Sequence, residues 1–169
     1  VVFHAEALIV SDDGQMLAVG YSEDHQPAGS IFAEVVESTL GMRRQGHSDG
    51  TLVLYDLHAE KLIAQFRHPS KKVIADAAFS ADGRLIAASY GDEIGLWDVR
   101  LRRMAHAIPA PDGDKYIQKL ALSANGELVA AHVIDMKGDA HALHVWTVAS
   151  GQPVGQFSWM VTDSDSNSR

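Results

Sequence analysis

Nine histidines, 22 carboxylates and no cysteine make up the reactive inventory of this 169-residue chain. Without cysteine there is no disulfide, thiolate zinc site or thiol nucleophile. A metal would have to be held by imidazoles and carboxylates. The densest such grouping is His141 and His144 near Asp135 and Asp139, with His132 a few residues earlier. Strand residues three apart face opposite sides, so His141 and His144 share a metal only if a turn intervenes. His132 reads more simply as a hydrogen-bonded core histidine, and His4, His58 and His106 as scattered surface positions. No Gly-x-Ser-x-Gly elbow, His-Glu-x-x-His helix or glycine-rich phosphate loop occurs. The pairs Asp12-Asp13 and Asp112-Gly113-Asp114 have turn contexts that account for them without catalysis. The expectation is a non-catalytic protein with no metal and no cofactor.

The elements that would position these groups emerge from an internal repeat. Three segments align without gaps: Ser11-Asp12-Asp13-Gly14, Ser80-Ala81-Asp82-Gly83 and Ser123-Ala124-Asn125-Gly126, each followed by one residue, two apolar residues and alanine. Asp-Gly or Asn-Gly between apolar runs predicts a hairpin with a type I′ turn. A second set is Leu54-Tyr55-Asp56-Leu57, Leu96-Trp97-Asp98-Val99 and Val145-Trp146-Thr147-Val148. At a fixed offset after each aromatic stands a large apolar residue, Phe66, Ile108 or Phe157. Each unit thus holds four short apolar runs separated by turns. In the second unit they fall at roughly 73–79, 84–89, 93–98 and 103–108. Four antiparallel strands repeating at about 42 residues predict propeller blades.

These residues resemble the WD-repeat family of β-propellers, most closely in Ala78-Phe79-Ser80-Ala81-Asp82-Gly83-Arg84-Leu85-Ile86-Ala87 and Ile94-Gly95-Leu96-Trp97-Asp98-Val99. The resemblance spans about residues 5–157. It implies an all-β fold of three blades, about 5–66, 73–108 and 117–157, forming an incomplete ring, with 158–169 as a polar tail or linker. It also implies a buried structural tetrad, for which the second unit offers His68, Ser89, Asp92 and Trp97. The pattern departs from the family where Gly91-Asp92 replaces Asp-Gly, where Tyr55 replaces Trp, and where His132 and Thr147 replace Ser and Asp.

The units differ in what they insert. Gly83 and Trp97 are separated by 14 positions, Gly126 and Trp146 by 20, and Gly14 and Tyr55 by 41. The third unit therefore carries extra residues near Asp135–Ala140, and the first carries a long insertion at 22–47. Long loops without a packing role are uncommon in compact domains and are often functional. Within this one, Ile31, Phe32, Val35, Val36 and Leu40 share one helical face, with Ser30 and Gly41 as start and stop signals. An extended hairpin is the rival reading. Phe32, Val35, Val36 and Leu40, rimmed by Arg43 and Arg44, are the expected partner anchors. The alternative is that this face packs back on the blades.

Composition sets the outer limits. Net charge is −8, from 14 basic and 22 acidic residues, which disfavours a phosphate-backbone partner. No apolar run approaches the roughly 18 residues of a membrane-spanning helix. The expected function is a protein-interaction module, part of a larger propeller serving as scaffold or sensor in signalling, located in the cytoplasm. Its ring would be completed by further blades of the same propeller or by another chain. The competing expectation is a hydrolase- or lyase-like propeller with a channel metal held by His132, Asp135 or His141.

Overall fold

The computed structural model describes residues 2–24, 50–69, 72–110, 115–135, 137–138 and 140–160. They form twelve strands and, among the described residues, no helix. The first sheet contains β1 (Val2–Val10), β2 (Met16–Asp24), β3 (Thr51–Asp56) and β4 (Lys61–Arg67). The second contains β5 (Ile74–Phe79), β6 (Leu85–Tyr90), β7 (Glu93–Asp98) and β8 (Arg103–Pro109). The third contains β9 (Lys115–Leu122), β10 (Leu128–Asp135), β11 (Ala140–Thr147) and β12 (Pro153–Met160). Each sheet is a four-stranded antiparallel meander in chain order. The second agrees with the sequence expectation to within a residue or two at every strand. β12 runs to Met160, three residues past the expected boundary, because Trp159 pairs with His141.

The three sheets are successive blades. The first strands lie side by side, β1 against β5 and β5 against β9, so they form the inner edge of an arc. Period-2 alternation gives each blade two apolar faces. Leu52, Leu54 and Phe66 of blade one bury against Ile74, Ile86 and Trp97 of blade two. Ile94, Leu96 and Ile108 of blade two bury against Ile117, Val129 and Trp146 of blade three. The ring is not closed.

The Ser-x-Asp-Gly turns hold the first hairpin of each blade, but not as type I′ turns. Only the glycine takes a positive φ, 69° at Gly14, 66° at Gly83 and 69° at Gly126. The loop is longer because side chains brace it. Ser80 Oγ accepts the Leu85 N–H at 3.0 Å and donates to Asp82 at 2.7 Å, while Asp82 accepts the Arg84 N–H at 3.0 Å. Ser11 and Asp13 repeat the pattern, as do Ser123 and Asn125. The third-to-fourth-strand turn is braced by the acidic residue that follows the aromatic in the motif. Asp56 accepts the His58 and Ala59 N–H groups at 2.9 and 2.7 Å, and Asp98 accepts the Leu101 N–H at 2.7 Å. Thr147 serves the same turn through Ser150, at 2.5 Å.

The inserted segments are accommodated differently. In blade three the extra residues lengthen β10 and β11 to eight residues each, against six in β6 and β7. In blade one the β2–β3 ladder stays continuous, with Leu17 opposite Tyr55 and Tyr21 opposite Thr51. The first residues of the insertion, 22–24, extend β2 against His4, Phe3 and Val2 of β1, while the β2–β3 pairing stays unbroken.

Candidate functional site

Phe32, Val35, Val36, Leu40, Arg43 and Arg44, with the helical or hairpin reading of their segment, lie outside the described residues. The remaining sequence-derived positions gather at two places: the blade-one/blade-two interface and the outer part of blade three.

At the first, His68 stacks on Tyr90 with centroids 4.2 Å apart and meets Trp97 edge-on at 6.3 Å. Phe66 packs on Trp97 at 5.0 Å. All four rings are buried. Gly95 is what lets them converge, since a Cβ there would stand 2.8 Å from Tyr90 Cε2 and 3.0 Å from His68 Cδ2. Ser89 is buried too, but its hydroxyl accepts the Ala75 and Asp76 N–H groups at 3.2 and 2.9 Å. It thereby pins β6 to β5. Asp92 points elsewhere: its carboxylate pairs with the Lys72 ammonium at the surface, which holds it below the ordinary carboxylate range. This corrects the expected tetrad. The carboxylate beside His68 is Glu93, 3.4 Å from Nδ1, because the β6–β7 turn consumes Gly91 and Asp92 and starts the strand at Glu93. Burial lowers the His68 pKa, with Glu93 opposing and Lys72 assisting.

Sequence reading also missed Asp76. Its carboxylate accepts the Leu120 N–H at 2.9 Å and lies 3.7 Å from Lys119 Nζ, tying blade two to blade three. Nothing in the repeat marks this residue, since the bond crosses between units 44 positions apart.

At the second place, the lengthened hairpin brings His132 and His141 together. Leu143 opposes His132 and His141 opposes Ile134, so the two histidines are diagonal neighbours on one face. His132 Nε2 and His141 Nδ1 are 2.9 Å apart. His141 Nε2 is 3.2 Å from the Gly138 carbonyl, which can only accept, so Nε2 carries the proton. The donor in the 2.9 Å contact depends on the tautomers of the two rings. Trp159 stacks on both, 5.7 Å from His132 and 5.5 Å from His141. His132 is half-buried and hydrogen-bonded as expected, though not in the core. His144 is buried on the opposite face, stacked on Trp146 at 5.5 Å, so β11 separates His141 from His144 as their spacing required. Asp135 accepts the Ala140 N–H at 3.2 Å. These groups stand on the middle strands and not on the inner strand β9, which differs from the expected channel placement. No cluster of three or more potential metal ligands occurs among the described residues.

The histidines make a pH prediction with a definite sign. Burial, with His141 assisting, lowers the His132 pKa, and burial likewise lowers that of His68. A lowered imidazole stabilises the fold above the unfolded value of 6.5, and that contribution is lost as pH falls through the lowered values. Stability should therefore decline on acidification below 6.5, accompanied by a change in Trp159 emission as the stack parts. Fluorescence and denaturation from pH 8 to 5 check this. His132→Gln should remove the emission change, and an emission that ignores pH in the parent would refute it.

The fold and its aromatic interfaces define three consecutive blades of a β-propeller. Solved structures support that class. The chain is similar to Kuenenia stuttgartiensis hydrazine synthase, with a TM-score of 0.65 at 16% identity over 93% of this chain and 38% of that one. It is also similar to the Myceliophteria thermophila Cps50 (Swd1) β-propeller domain, with a TM-score of 0.59 at 16% identity over 99% of this chain and 42% of that one. The chain thus spans about two-fifths of each. At this identity the likeness concerns fold alone. No protein-family model and no curated protein matches the sequence.

Proposed function

We propose that this chain is a WD-type propeller module acting as a non-catalytic protein-interaction scaffold in the cytoplasm, with insertion 22–47 as its docking element. The observation that carries this reading is the unbroken β2–β3 ladder, with Tyr21 paired to Thr51 across the point where the insertion leaves. A segment that the β2–β3 ladder does not need is free to serve recognition, and rigid blades present it at low ordering cost. Its anchors are Phe32, Val35, Val36 and Leu40, with Arg43 and Arg44 at the rim. Deleting 25–44, which spares Ser22–Asp24 of β2, should leave the circular dichroism of the sheets unchanged and abolish partner capture. Capture that survives the deletion overturns the assignment.

A second reading, a propeller enzyme using a metal, is favoured by one observation, the 2.9 Å approach of His132 and His141. Stoichiometric metal in the purified protein, lost in His141→Ala, is the result that would select it.

A further inference from the structure

Each blade ends in an outer strand, β4, β8 or β12, whose far edge pairs with no strand among the described residues. The chain continues past β4 and β8 into further strands, and their edges stay open all the same. An open edge is a row of unpaired N–H and C=O groups, and charged side chains are the usual protection against strand addition. β4 carries Lys61 and Arg67, and β8 carries Arg103 and His106. β12 has no ionisable residue, and all eight of its residues are exposed. Its one proline, Pro153, stands at the first position, where strand pairing tolerates it.

A cleft of about 290 Å³ adjoins this strand. Val133, Ala140 and Ala142 give it an apolar lining, and Gln156, Ser158 and Met160 of β12 form its outer side. Ala142 opposes Val133 in one neighbouring strand and Ser158 in the other. The cleft and these β12 side chains therefore share the sheet face that meets blade two. Small side chains open it. Counted from the turn glycines and the aromatics, Val133 stands where blade two has Tyr90, and Ala142 where it has Glu93. At the preceding interface that ring and that carboxylate flank His68.

We infer that β12 is a strand-addition site: an extended, uncharged segment of a protein partner pairs along its free edge and places one large apolar side chain in the cleft. In this mode backbone hydrogen bonds supply affinity, and pockets for alternate side chains supply specificity. An added strand lies about 4.8 Å from β12, so a long side chain beside Ser158 projects over that small residue into the cleft. An apolar one suits the lining of Val133, Ala140, Ala142 and Met160, and β12 offers no charge to meet one on the segment. The β12 of a second copy is the poorer fit, since Gln156 and Ser158 are what it brings to that face. The site goes beyond the docking role of insertion 22–47 and is separable from it, because deleting 25–44 leaves β12 and its cleft in place.

The test uses the full chain and a panel of blocked eight-residue peptides, the length of β12. They alternate threonine with valine and carry alanine, leucine, phenylalanine or tyrosine near the centre. Binding should slow amide exchange at the β12 positions that β11 does not bond and should shift the Trp159 emission. The phenylalanine peptide should bind about tenfold tighter than the alanine peptide, the gain from burying one ring. Ser158→Lys gives β12 a charge of the kind that β4 and β8 carry. It should abolish binding with circular dichroism unchanged, since Ser158 is exposed, and Gln156→Lys should do the same. Ala142→Leu fills the cleft and should erase the preference for phenylalanine while the alanine peptide binds as before. Deleting 25–44 should leave peptide binding intact. No binding by any peptide at about 1 mM overturns the proposal, as does binding that both lysine variants retain. Equal affinity across the panel overturns the role of the cleft. A parent protein that dimerises in light scattering, and whose dimer Ser158→Lys dissolves, makes a second copy the occupant and overturns the partner segment.

Discussion

Phe66→Ala is expected to cost about 3–5 kcal/mol of stability, the usual range for emptying a buried aromatic site. Phe66 is 2% exposed and packs 5.0 Å from Trp97, so it joins the outer strand of blade one to blade two. Deleting the ring forfeits its transfer free energy and leaves a cavity between two sheets, whose paired strands cannot collapse into it. For a chain of this size the melting temperature should fall by roughly 6–20 °C. Phe157→Ala is the internal control. It occupies the equivalent position in blade three but is 66% exposed. In dilute, monomeric protein its effect should stay within about 0.5 kcal/mol, as for an ordinary surface change. Denaturant titrations of both variants decide the matter. Equal losses would show that the blade-one/blade-two contact is not a core.

The second large effect is expected at Gly95. Gly95→Val should destabilise by about 1–3 kcal/mol through overpacking. A Cβ at this position would meet Tyr90 Cε2 at 2.8 Å, His68 Cδ2 at 3.0 Å and Trp97 Nε1 at 3.2 Å. These are ring atoms of buried side chains wedged against one another, so none has room to yield. Near-ultraviolet circular dichroism should lose intensity as the rings separate. Gly155, around which a Cβ would meet nothing within 4 Å, should accept alanine with little change. Tolerance of valine at Gly95 equal to tolerance of alanine at Gly155 would remove the aromatic cluster from the account of the interface.

The strands of blade two were legible because each carries a local signal. Ser80 and Asp82 mark one turn, Asp98 marks another, and alternating apolar residues mark the runs between them. Those same side chains make the bracing hydrogen bonds, so composition and geometry coincide within a few residues. The turn type was not legible, since Asp-Gly fits both a type I′ turn and the longer serine-braced loop. The choice is made by Ser80 Oγ reaching the Leu85 N–H, five positions away.

Contacts between elements were less legible in proportion to their sequence separation. Asp92 matched the tetrad pattern by proximity to its turn, yet Lys72 claims it, and Glu93 comes to lie beside His68 instead. Asp76 carries no motif at all and still bonds Leu120 in the next blade. His132 and His141 were visible as candidate ligands, but their diagonal pairing depends on a hairpin lengthened by inserted residues.

By itself the sequence determined the unit of this protein: a four-stranded blade, repeated three times, with its turns placed by local hydrogen-bonding residues. Strand period and turn chemistry act over a few residues, and they survive translation into three dimensions unchanged. Only the tertiary structure decided which face of each blade is covered. Leu52, Ile94 and Leu143 are equivalent as letters, and burial separates them because a blade follows the first two among the described residues and none follows the third.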